Sequence, residues 1–516
     1  MSRMWKTVAA WGLARLGLST DRPYAPQAES EETRRLRAKL DHERDKVRKL
    51  VEIQARLSAG QAEWMAERGA MERRLAVLES QQRLLLGAHP RHYESDSRAR
   101  QAVDSAQRPP LRILVAGPIR KTVFEFVRGA MISSDPSQGP FDLLVIPRPE
   151  KQDLDQVSVS IPQAIWSEVR AGRTRLILDG SSEGNLHRAV LERFQSLAER
   201  TGTPLGEIVY LTQDRLAADP GAASRRRFDV PLPVLNYDYY LHKTLLPLLE
   251  HGQAAFRDRL AQYVDAPRQG RRAFLSLNLS PRAHKVLLLA RLLRDGLWDN
   301  GFISFGGIGS AGGEDAQPDE LLRRFKWRSF EAAAHELAPQ IAALQRKGAI
   351  LFGMPDGARG IRHEALRAGD LEEYRRSWFS VVTETEMSRD ILRVTEKVLK
   401  PVLNFHPFVV LGNPGALTLI KSYGIQTFPE LFDESYDDEE DPARRFDMVY
   451  GQVRRLARMD EAELDRLEAS VAEKVVFNAR WGLTELPRLF QDTLLPAAIE
   501  RMLPAGLTGR LAPFPQ

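Results

Sequence analysis

The stretch from Ser377 to Tyr436 constrains the fold more than any other part of the chain. It holds two short apolar runs, Trp378–Val382 and Phe408–Leu411, with a helical pattern between them. The second run leads through a Gly-Asn-Pro-Gly turn, residues 412–415, into another helical pattern. This alternation of short apolar runs and helices predicts a parallel α/β sheet.

The end of the second run predicts a ligand site. In parallel sheets ligands bind beyond the carboxyl ends of the strands, where Gly-rich turns and helix N-termini present free N–H groups. Gly412 and Asn413 occupy that position here, so both are candidate ligand contacts. A ligand that carries phosphate is the first hypothesis for this region.

The segment from Arg271 to Phe305 opens the same half of the chain with a second strand–helix–strand pattern. Arg282, His284 and Lys285 fall in the first turn of its helix, beside free backbone N–H groups. Positive charge there is unfavourable for the helix dipole, and an anionic ligand would resolve the conflict. The alternative is solvent-facing charge on a core helix.

An earlier part of the chain predicts a second sheet of the same kind. Buried strands are predicted over Leu111–Gly117, Phe141–Ile146, Thr174–Asp179 and Glu207–Leu211, with helices over Val123–Met131 and Leu186–Glu199. The alternation is Rossmann-like. The first strand is not followed by GxGxxG, which argues against NAD or FAD.

Asp179 and Glu183 flank a Gly-containing turn after the third strand of this part. A carboxylate there can act as general base on a hydroxyl nucleophile, so both are candidate catalytic residues. The alternative is helix capping by Ser181, Ser182 or Asn185, with Glu183 favouring the helix dipole.

Three other motifs are best interpreted as structural, and a fourth has two interpretations. The DxD tripeptide Asp153–Asp155 predicts a solvated loop rather than a metal site, and Asp437–Asp441 predicts a surface loop. His406 before Pro407 predicts core packing. The aromatic run Asn236–Tyr240 predicts either sugar stacking or packing between domains.

Composition limits the class of protein. The 516 residues allow two or three domains, and 43% hydrophobic content allows sizeable cores. The absence of cysteine excludes disulfides, thiolate nucleophiles and Cys-ligated zinc. A net charge of +5 permits anionic ligands without requiring nucleic acid. No apolar run approaches the ~20 residues of a membrane span, which fits a cytoplasmic protein.

The first part of the chain predicts a helix that associates with other molecules. Residues 1–30 form a basic amphipathic segment and linker, which either lies on a membrane surface or packs on the protein body. Residues 31–87 predict a coiled coil for self-association or spacing, or a long helix packed on its own domain. One seam of its heptads is Leu36, Glu43, Leu50, Leu57, Trp64, Met71, Leu78 and Leu85.

The residues Val394-Thr395-Glu396-Lys397, then Lys400-Pro401 and His406–Gly412, resemble the donor-binding half of GT-B glycosyltransferases. The pattern is most similar to the fucosyltransferase (family 10) and exostosin-like group. Extended to Phe432–Asp437, it also resembles poorly characterised bacterial and phage sugar-transferase-like proteins. The turn from Asn278 to Arg282 resembles the first motif of the fucosyltransferase donor domain.

The resemblance, which covers about residues 112–455, implies an α/β fold with two Rossmann-like domains (GT-B type), and the heptads predict an N-terminal coiled-coil helix in front of them. The expected boundaries are 31–87 for the coiled coil, 88–110 for a linker, 111–265 for the acceptor domain, 266–455 for the donor domain and 456–516 for C-terminal helices that cross back over the first domain. Asn278 and Arg282 would then face a nucleotide diphosphate, Lys397 the phosphates, and Glu396 ribose or sugar hydroxyls. The full expected donor site is Asn278, Arg282, Lys285, Thr395, Glu396, Lys397, Gly412 and Asn413.

The expected function is transfer of a sugar from a nucleotide-sugar donor to a glycan or protein acceptor, inverting and without a metal or a further cofactor. A homo-oligomer in the cytoplasm, at the inner face of a membrane and active in surface-glycan assembly, is expected, with no nucleic-acid partner. The alternative is a coiled-coil scaffold whose GT-B pair is inactive.

Overall fold

The computed structural model describes residues 110–182, 184–217, 232–266, 270–308, 330–350 and 372–504. The predicted amphipathic N-terminus and coiled coil, and Glu183, lie outside these residues. The described chain is α/β, with two parallel sheets and helices packed around them. This architecture is compatible with two Rossmann-like domains.

The first sheet has six parallel strands in the order β2-β1-β3-β4-β5-β6. The strands are β1 (Arg112–Val115), β2 (Met131–Ser133), β3 (Leu143–Pro147), β4 (Arg175–Gly180), β5 (Ile208–Thr212) and β6 (Val234–Asn236). The central strands β3 and β5 are buried at every position. They form because continuous apolar runs fit a parallel sheet that is covered on both faces.

Five helices belong to this first half of the described chain: α1 (Leu154–Ser160), α2 (Gln163–Arg170), α3 (Arg188–Thr201), α4 (Tyr239–Leu245) and α5 (Leu248–Val264). Helix α3 ends at Gly202, which has the left-handed φ of 65° and whose N–H donates to the carbonyls of Ala198 and Glu199. Glycine adopts this conformation at no steric cost, so the helix stops there.

The predicted helix over Val123–Met131 is wrong. The structure has a 3-10 turn at Val123–Phe126 and then strand β2, whose Met131 N–H donates to the carbonyl of Leu111 at 2.8 Å. Gly129 between them has a φ of 74°, which a helix cannot accommodate. The chain therefore turns there and pairs with β1.

The second sheet has four parallel strands in the order β10-β9-β7-β8. The strands are β7 (Arg272–Asn278), β8 (Gly301–Phe305), β9 (Ser377–Thr383) and β10 (Phe408–Leu411). Its helices are α6 (Ala283–Arg294), α7 (Glu331–Glu336), α8 (Ala338–Lys347), α9 (Glu372–Arg375), α10 (Glu396–Leu403) and α11 (Ala416–Ser422). After α8, Ile350 forms an antiparallel bridge with Phe305 of β8.

Both sheets share one topology. The strand order reverses between β1 and β3 in the first sheet and between β7 and β9 in the second. Connections that leave in opposite directions at such a point open a crevice at the carboxyl ends of the two strands. The fold therefore offers two places where a ligand can bind.

The chain ends in a long helical segment that returns to the first half. It comprises α12 (Pro442–Ala457), α13 (Glu461–Arg480), α14 (Leu486–Arg488) and α15 (Leu495–Met502), with wider π-type turns at Trp481–Glu485 and Leu489–Leu494. The ring of Phe490 contacts Tyr237 of the first half and Tyr423 of the second. The C-terminal helices thus contact both halves.

The segment after β9 also joins the halves. The N–H of Arg215, beyond β5, donates to the carbonyl of Leu392 at 2.8 Å, and the N–H of Leu392 donates to Asp214 at 3.1 Å. Arg393 donates to the Asn185 side chain at 3.2 Å. The carboxyl edges of the two sheets are therefore connected through one loop. Across the described ranges, no helix is both long and apolar enough to cross a membrane.

Candidate functional site

The candidate site lies where the strand order of the second sheet reverses. Asn278 ends β7 and Thr383 ends β9, and the Thr383 hydroxyl donates to the Asn278 side-chain oxygen at 2.7 Å. Asn278 in turn donates to the Ser276 hydroxyl at 2.9 Å, and it is fully buried. Asn278 therefore joins the two strands at the base of the crevice and does not face a ligand.

Helix α6 begins beside this crevice with a cluster of positive charge. Arg282 is the N-cap residue, is exposed, and makes no capping hydrogen bond with its side chain. Asp, Asn, Ser and Thr are the residues that normally accept from the first N–H groups at such a position. An arginine there leaves the helix N-terminus without an acceptor from its own cap residue.

Lys285, in the first turn of α6, is the most unusual residue of the site. Its side chain is buried, with 2% exposed, and its ammonium group donates no hydrogen bond to a described residue; the carboxylates of Glu384 and Glu396 act on it through their charge alone. Burial, followed by the nearby charge of Lys397, lowers the pKa of Lys285 to about 7. A buried cation without an acceptor is costly, so this position favours an anion from outside the chain.

His284 is a structural neighbour of that lysine. Its Nε2 lies 2.9 Å from the backbone carbonyl of Glu384 and must donate, because a carbonyl only accepts. Burial and the charge of Lys285 lower the pKa of His284 to about 3, so its ring is neutral. His284 fixes α6 against the end of β9 without adding charge.

Thr395, Glu384 and Lys397 form one hydrogen-bonded group on the other side of the crevice. The buried carboxylate of Glu384 accepts from the Thr395 N–H at 3.0 Å and from its hydroxyl at 2.6 Å. Thr395 is the N-cap of α10, and its hydroxyl also accepts from the Lys397 ammonium at 3.0 Å. Glu384 therefore holds Thr395, and Thr395 holds Lys397.

Lys397 and Glu396 present opposite charges at the mouth of the site. The Lys397 side chain is 24% exposed, and its ammonium also donates to the Thr385 hydroxyl at 3.2 Å. Burial acts to raise the pKa of Glu396, but the charges of Lys397 and Lys400 outweigh it, and the pKa lies below the usual value. Glu396 is thus an ionised acceptor beside a cation that a ligand can reach.

At the turn of Gly412 and Asn413, other groups of the protein already make the contacts that a ligand would need. Helix α11 begins after it, but the Asp437 carboxylate already accepts from the N–H groups of Leu417 and Thr418 at 2.8 and 3.0 Å. Asn413 is buried, and its side-chain amide donates to the carbonyl of Ser388 at 2.7 Å. The α11 N-terminus is therefore satisfied within the protein, which argues against a phosphate there.

Asp437 also departs from the surface loop predicted for Asp437–Asp441. It is 7% exposed, and its carboxylate caps α11. Arg445, from α12, is 1% exposed and donates to the backbone carbonyls of Gly412, Met387 and Glu439. Burial lowers the pKa of Arg445 to about 10. These two residues fix the turn at Gly412 rigidly, and no pattern in the sequence signals the role of Arg445.

Asp179, the candidate base of the first sheet, is placed in the core. It is fully buried, and its two oxygens accept from the N–H groups of Val123 and Ser181, both at 2.9 Å. Burial raises the pKa of Asp179 to about 6. Its hydrogen bonds tie β4 to the turn after β1, and in this arrangement a substrate hydroxyl cannot reach it. The other candidate, Glu183, lies outside the described residues.

The remaining motifs have structural roles. Asp153 caps α1 by accepting from the Asp155 and Gln156 N–H groups. His406 accepts from the Ser380 hydroxyl at 2.6 Å and donates to the Ser377 carbonyl at 2.8 Å, and burial lowers its pKa to about 3. Tyr237 and Tyr239 are buried, at 3% and 0% exposed, which favours packing over sugar stacking.

The described residues bring no group of three or more His, Asp or Glu side chains close enough to hold a metal ion. What the structure does assemble is Arg282, Lys285 and Lys397 around one crevice, with Glu396 beside them. Comparison with models of known families, with curated proteins and with solved structures finds no match to this chain.

Proposed function

We propose that this protein is a glycosyltransferase of the GT-B type, which transfers a sugar from a nucleotide-sugar donor to a glycan or protein acceptor. The observation that carries the proposal is Lys285, a buried side chain whose ammonium has no hydrogen-bond acceptor in the described chain, at the reversal point of a parallel sheet. The diphosphate of the donor would supply the missing anion.

The other donor contacts follow from the same crevice. Arg282 and Lys397 would neutralise the diphosphate as it leaves, together with the uncapped N-terminus of α6. The ionised Glu396 would accept hydrogen bonds from ribose or sugar hydroxyls. Asn278 and Thr395 would not contact the donor directly. Asn278 would hold β7 to β9, and Thr395 would hold the Lys397 ammonium in position.

The acceptor would bind on the carboxyl edge of the first sheet, which one loop joins to the donor side. Because the Asp179 carboxylate is engaged by backbone N–H groups, Glu183 becomes the preferred general base in this proposal. The sequence resemblance to fucosyltransferases further suggests inversion at the sugar carbon, by a route that does not need a metal.

Binding of a nucleotide panel (UDP, GDP, CMP and dTDP), followed by thermal unfolding, tests the donor site. A ligand at a hundred times its dissociation constant stabilises the folded state by about 2.7 kcal/mol. We expect one nucleotide to stabilise the wild type and the Lys421→Met control, whose lysine pairs with Glu434 at the surface. The stabilisation should vanish in Lys285→Met and in Lys397→Met.

A transfer assay with the matching sugar nucleotide then separates an enzyme from a scaffold. An enzyme should release the nucleotide from the sugar nucleotide. Glu183→Gln should abolish this release and retain nucleotide binding. A nucleotide that binds without turnover at any acceptor supports a coiled-coil scaffold with an inactive GT-B pair. Failure of every nucleotide to bind would remove the donor-site proposal.

A further inference from the structure

The first sheet has a crevice of its own, where its strand order reverses between β1 and β3. The loop after β1 runs through Gly117 to Lys121, and the loop after β3 begins at Arg148. A Cβ on Gly117 would lie 3.5 Å from the Gln152 amide nitrogen and 3.6 Å from Pro147. The two loops therefore lie against each other and form one mouth.

Three basic residues stand at this mouth: Arg120 is exposed, and Lys121 and Arg148 are half-buried. In the part of the chain that the structure describes, none of the three side chains has a hydrogen-bond or ion-pair partner, and the Nε of Arg148 is buried without an acceptor. Other arginines of the same half do have acceptors: Arg170, Arg173, Arg175, Arg193 and Arg200. Arg148 therefore differs from these five arginines, because no atom of its guanidinium has an acceptor in the described chain.

The backbone at this mouth is also unusual. Lys121 and Arg148 have φ values of 71° and 47°, in the left-handed region that residues other than glycine rarely adopt. A glycine would relieve the steric cost at either position, yet the chain carries a cation at both. Such outliers persist where the surrounding structure holds them, and they cluster at ligand sites.

One acidic residue of the first sheet, Asp179, reaches this mouth: its carboxylate accepts from the Val123 N–H after β1, and its carbonyl accepts from the Arg148 N–H. Asp179 ends β4 with its oxygens on backbone N–H groups, and Asp214 follows β5 and accepts from Leu392. Glu150 follows Arg148 in the chain, and its charge contributes to raising the pKa values of Asp179 and Tyr210. Asp179 and Glu150 therefore offset part of the positive charge of this crevice, but in the described chain neither pairs with the side chain of Arg120, Lys121 or Arg148.

We propose that Arg120, Lys121 and Arg148 bind a phosphate or diphosphate group of the acceptor substrate. The inference rests on the proposed function and narrows its acceptor to a phosphorylated molecule. Arginine pairs with phosphate through paired N–H donors, and the buried Nε of Arg148 would gain the acceptor that it lacks. The acceptor class is then a sugar phosphate or a lipid-linked phosphate, which share this chemistry.

Calorimetric titration of the full chain with pyrophosphate tests the site. We expect two binding events in the wild type. Arg120→Gln combined with Lys121→Gln and Arg148→Gln should weaken one of them by about tenfold or more. Lys285→Met combined with Lys397→Met should remove the other, so that failure at one crevice is distinguishable from failure at the other.

The control removes equal charge from other positions of the same half, with Arg173→Gln, Arg188→Gln and Arg200→Gln, whose side chains pair with acids. This control variant should show both pyrophosphate-binding events of the wild type. Equal weakening in this control would attribute the effect to net charge and overturn the proposal, as would two unchanged events in the Arg120, Lys121 and Arg148 variant. The double variant Arg120→Gln/Lys121→Gln keeps Arg148 in place and serves if the triple variant unfolds.

Two further probes distinguish the sources of phosphate. Glucose 1-phosphate represents a soluble acceptor, and vesicles of phosphatidylcholine with phosphatidic acid represent a lipid-linked one. The probe whose binding falls in the triple variant identifies the class. If the triple variant binds both probes as the wild type does, the crevice does not hold an acceptor phosphate.

Discussion

Lys285 shows how one residue can reveal a site before any ligand is known. Its side chain is buried at the first turn of a helix, where the dipole opposes its charge and none of the described residues accepts a hydrogen bond from it. Natural proteins retain such positions when function requires them, and stability is lost in exchange. Removal of the charge should therefore affect stability and binding in opposite directions.

We predict that Lys285→Met stabilises the unliganded protein while it abolishes anion binding. The folded-state pKa of about 7 lies below the usual value of 10.5, so charged Lys285 destabilises the fold. Each unit of pKa shift corresponds to about 1.4 kcal/mol, which makes a gain of a few kcal/mol the expected order. Thermal unfolding of the two proteins measures it.

The pH dependence of that gain has a definite sign. Below about pH 7, Lys285 is charged in both the folded and the unfolded state, and the penalty is full. As the pH rises from 7 towards 10.5, the folded protein loses the proton first, so wild-type stability rises and the advantage of the variant shrinks. Lys397→Met, whose lysine is hydrogen-bonded and partly exposed, should lose binding without this gain. A variant of Lys285 that is destabilised at neutral pH would contradict the assignment.

At the scale of elements, the N-terminus of α10 connects the helix to the site. Thr395 caps the helix, accepts from Lys397 and donates to the buried Glu384. A single hydroxyl thus serves both the stability of α10 and the position of a ligand-facing cation. The helix cap and the site cannot be changed independently.

We predict that Thr395→Val destabilises the protein by about 1–2 kcal/mol, because the cap is lost and Glu384 loses a donor. The same change should weaken nucleotide or pyrophosphate binding, since Lys397 loses an acceptor. Denaturant unfolding and calorimetric titration measure the two effects. Thr395→Ser keeps the hydroxyl and should restore both; recovery of stability without recovery of binding would separate Thr395 from the site.

Helix α11 provides the contrasting case. We predict that Asp437→Asn costs about 1–2 kcal/mol, because the carboxylate that accepts from Leu417 and Thr418 is replaced by an amide with one acceptor. Ligand affinity should stay within about twofold, since the α11 N-terminus is already occupied. Asp438→Asn, at the exposed neighbouring position, is the control for stability. A large loss of ligand affinity in Asp437→Asn would mean that the turn at Gly412 does contribute to the ligand site.

The strands that the sequence predicts well are those with unbroken apolar runs. Strand β10 has the bounds of the apolar run Phe408–Leu411, and β9 extends the run Trp378–Val382 by one residue at each end. Buried parallel strands need such runs, which makes them visible. Strands β2 and β6 have three residues each, and Met131 of β2 is 53% exposed, so no apolar run marks them.

The residues of the candidate site also fall into those that the sequence reveals and those that it does not. Arg282 and Lys285 are visible in the sequence because cations at a predicted helix N-terminus conflict with its dipole. The hydrogen bonds of Glu384 with Thr395 and of Arg445 with Gly412 depend on tertiary contacts, which periodicity does not encode. Asp179 looks catalytic at a strand end, and its burial becomes evident when the turn at Val123 packs over it.

At the scale of the whole molecule, one hydrophobic core extends through both sheets. It includes Val209 and Leu211 of the first sheet, Phe379 and Val409 of the second, and Phe490 of the C-terminal segment. Phe490 is 1% exposed and contacts the rings of Tyr237, His242 and Tyr423. The two halves thus share side chains of one core, so their stabilities are coupled.

We predict that Phe490→Ala destabilises both sheets together, by about 3–5 kcal/mol, because a large buried ring is lost from a core common to the two halves. Hydrogen exchange measured by mass spectrometry should show the same loss of protection in β3–β5 and in β7–β10. Phe477→Ala is the matched control, since that ring is 39% exposed on α13. Loss of protection in one sheet alone would mean that the halves open independently. Equal loss of protection in both sheets would mean that one core, to which Phe490 belongs, holds the two crevices together.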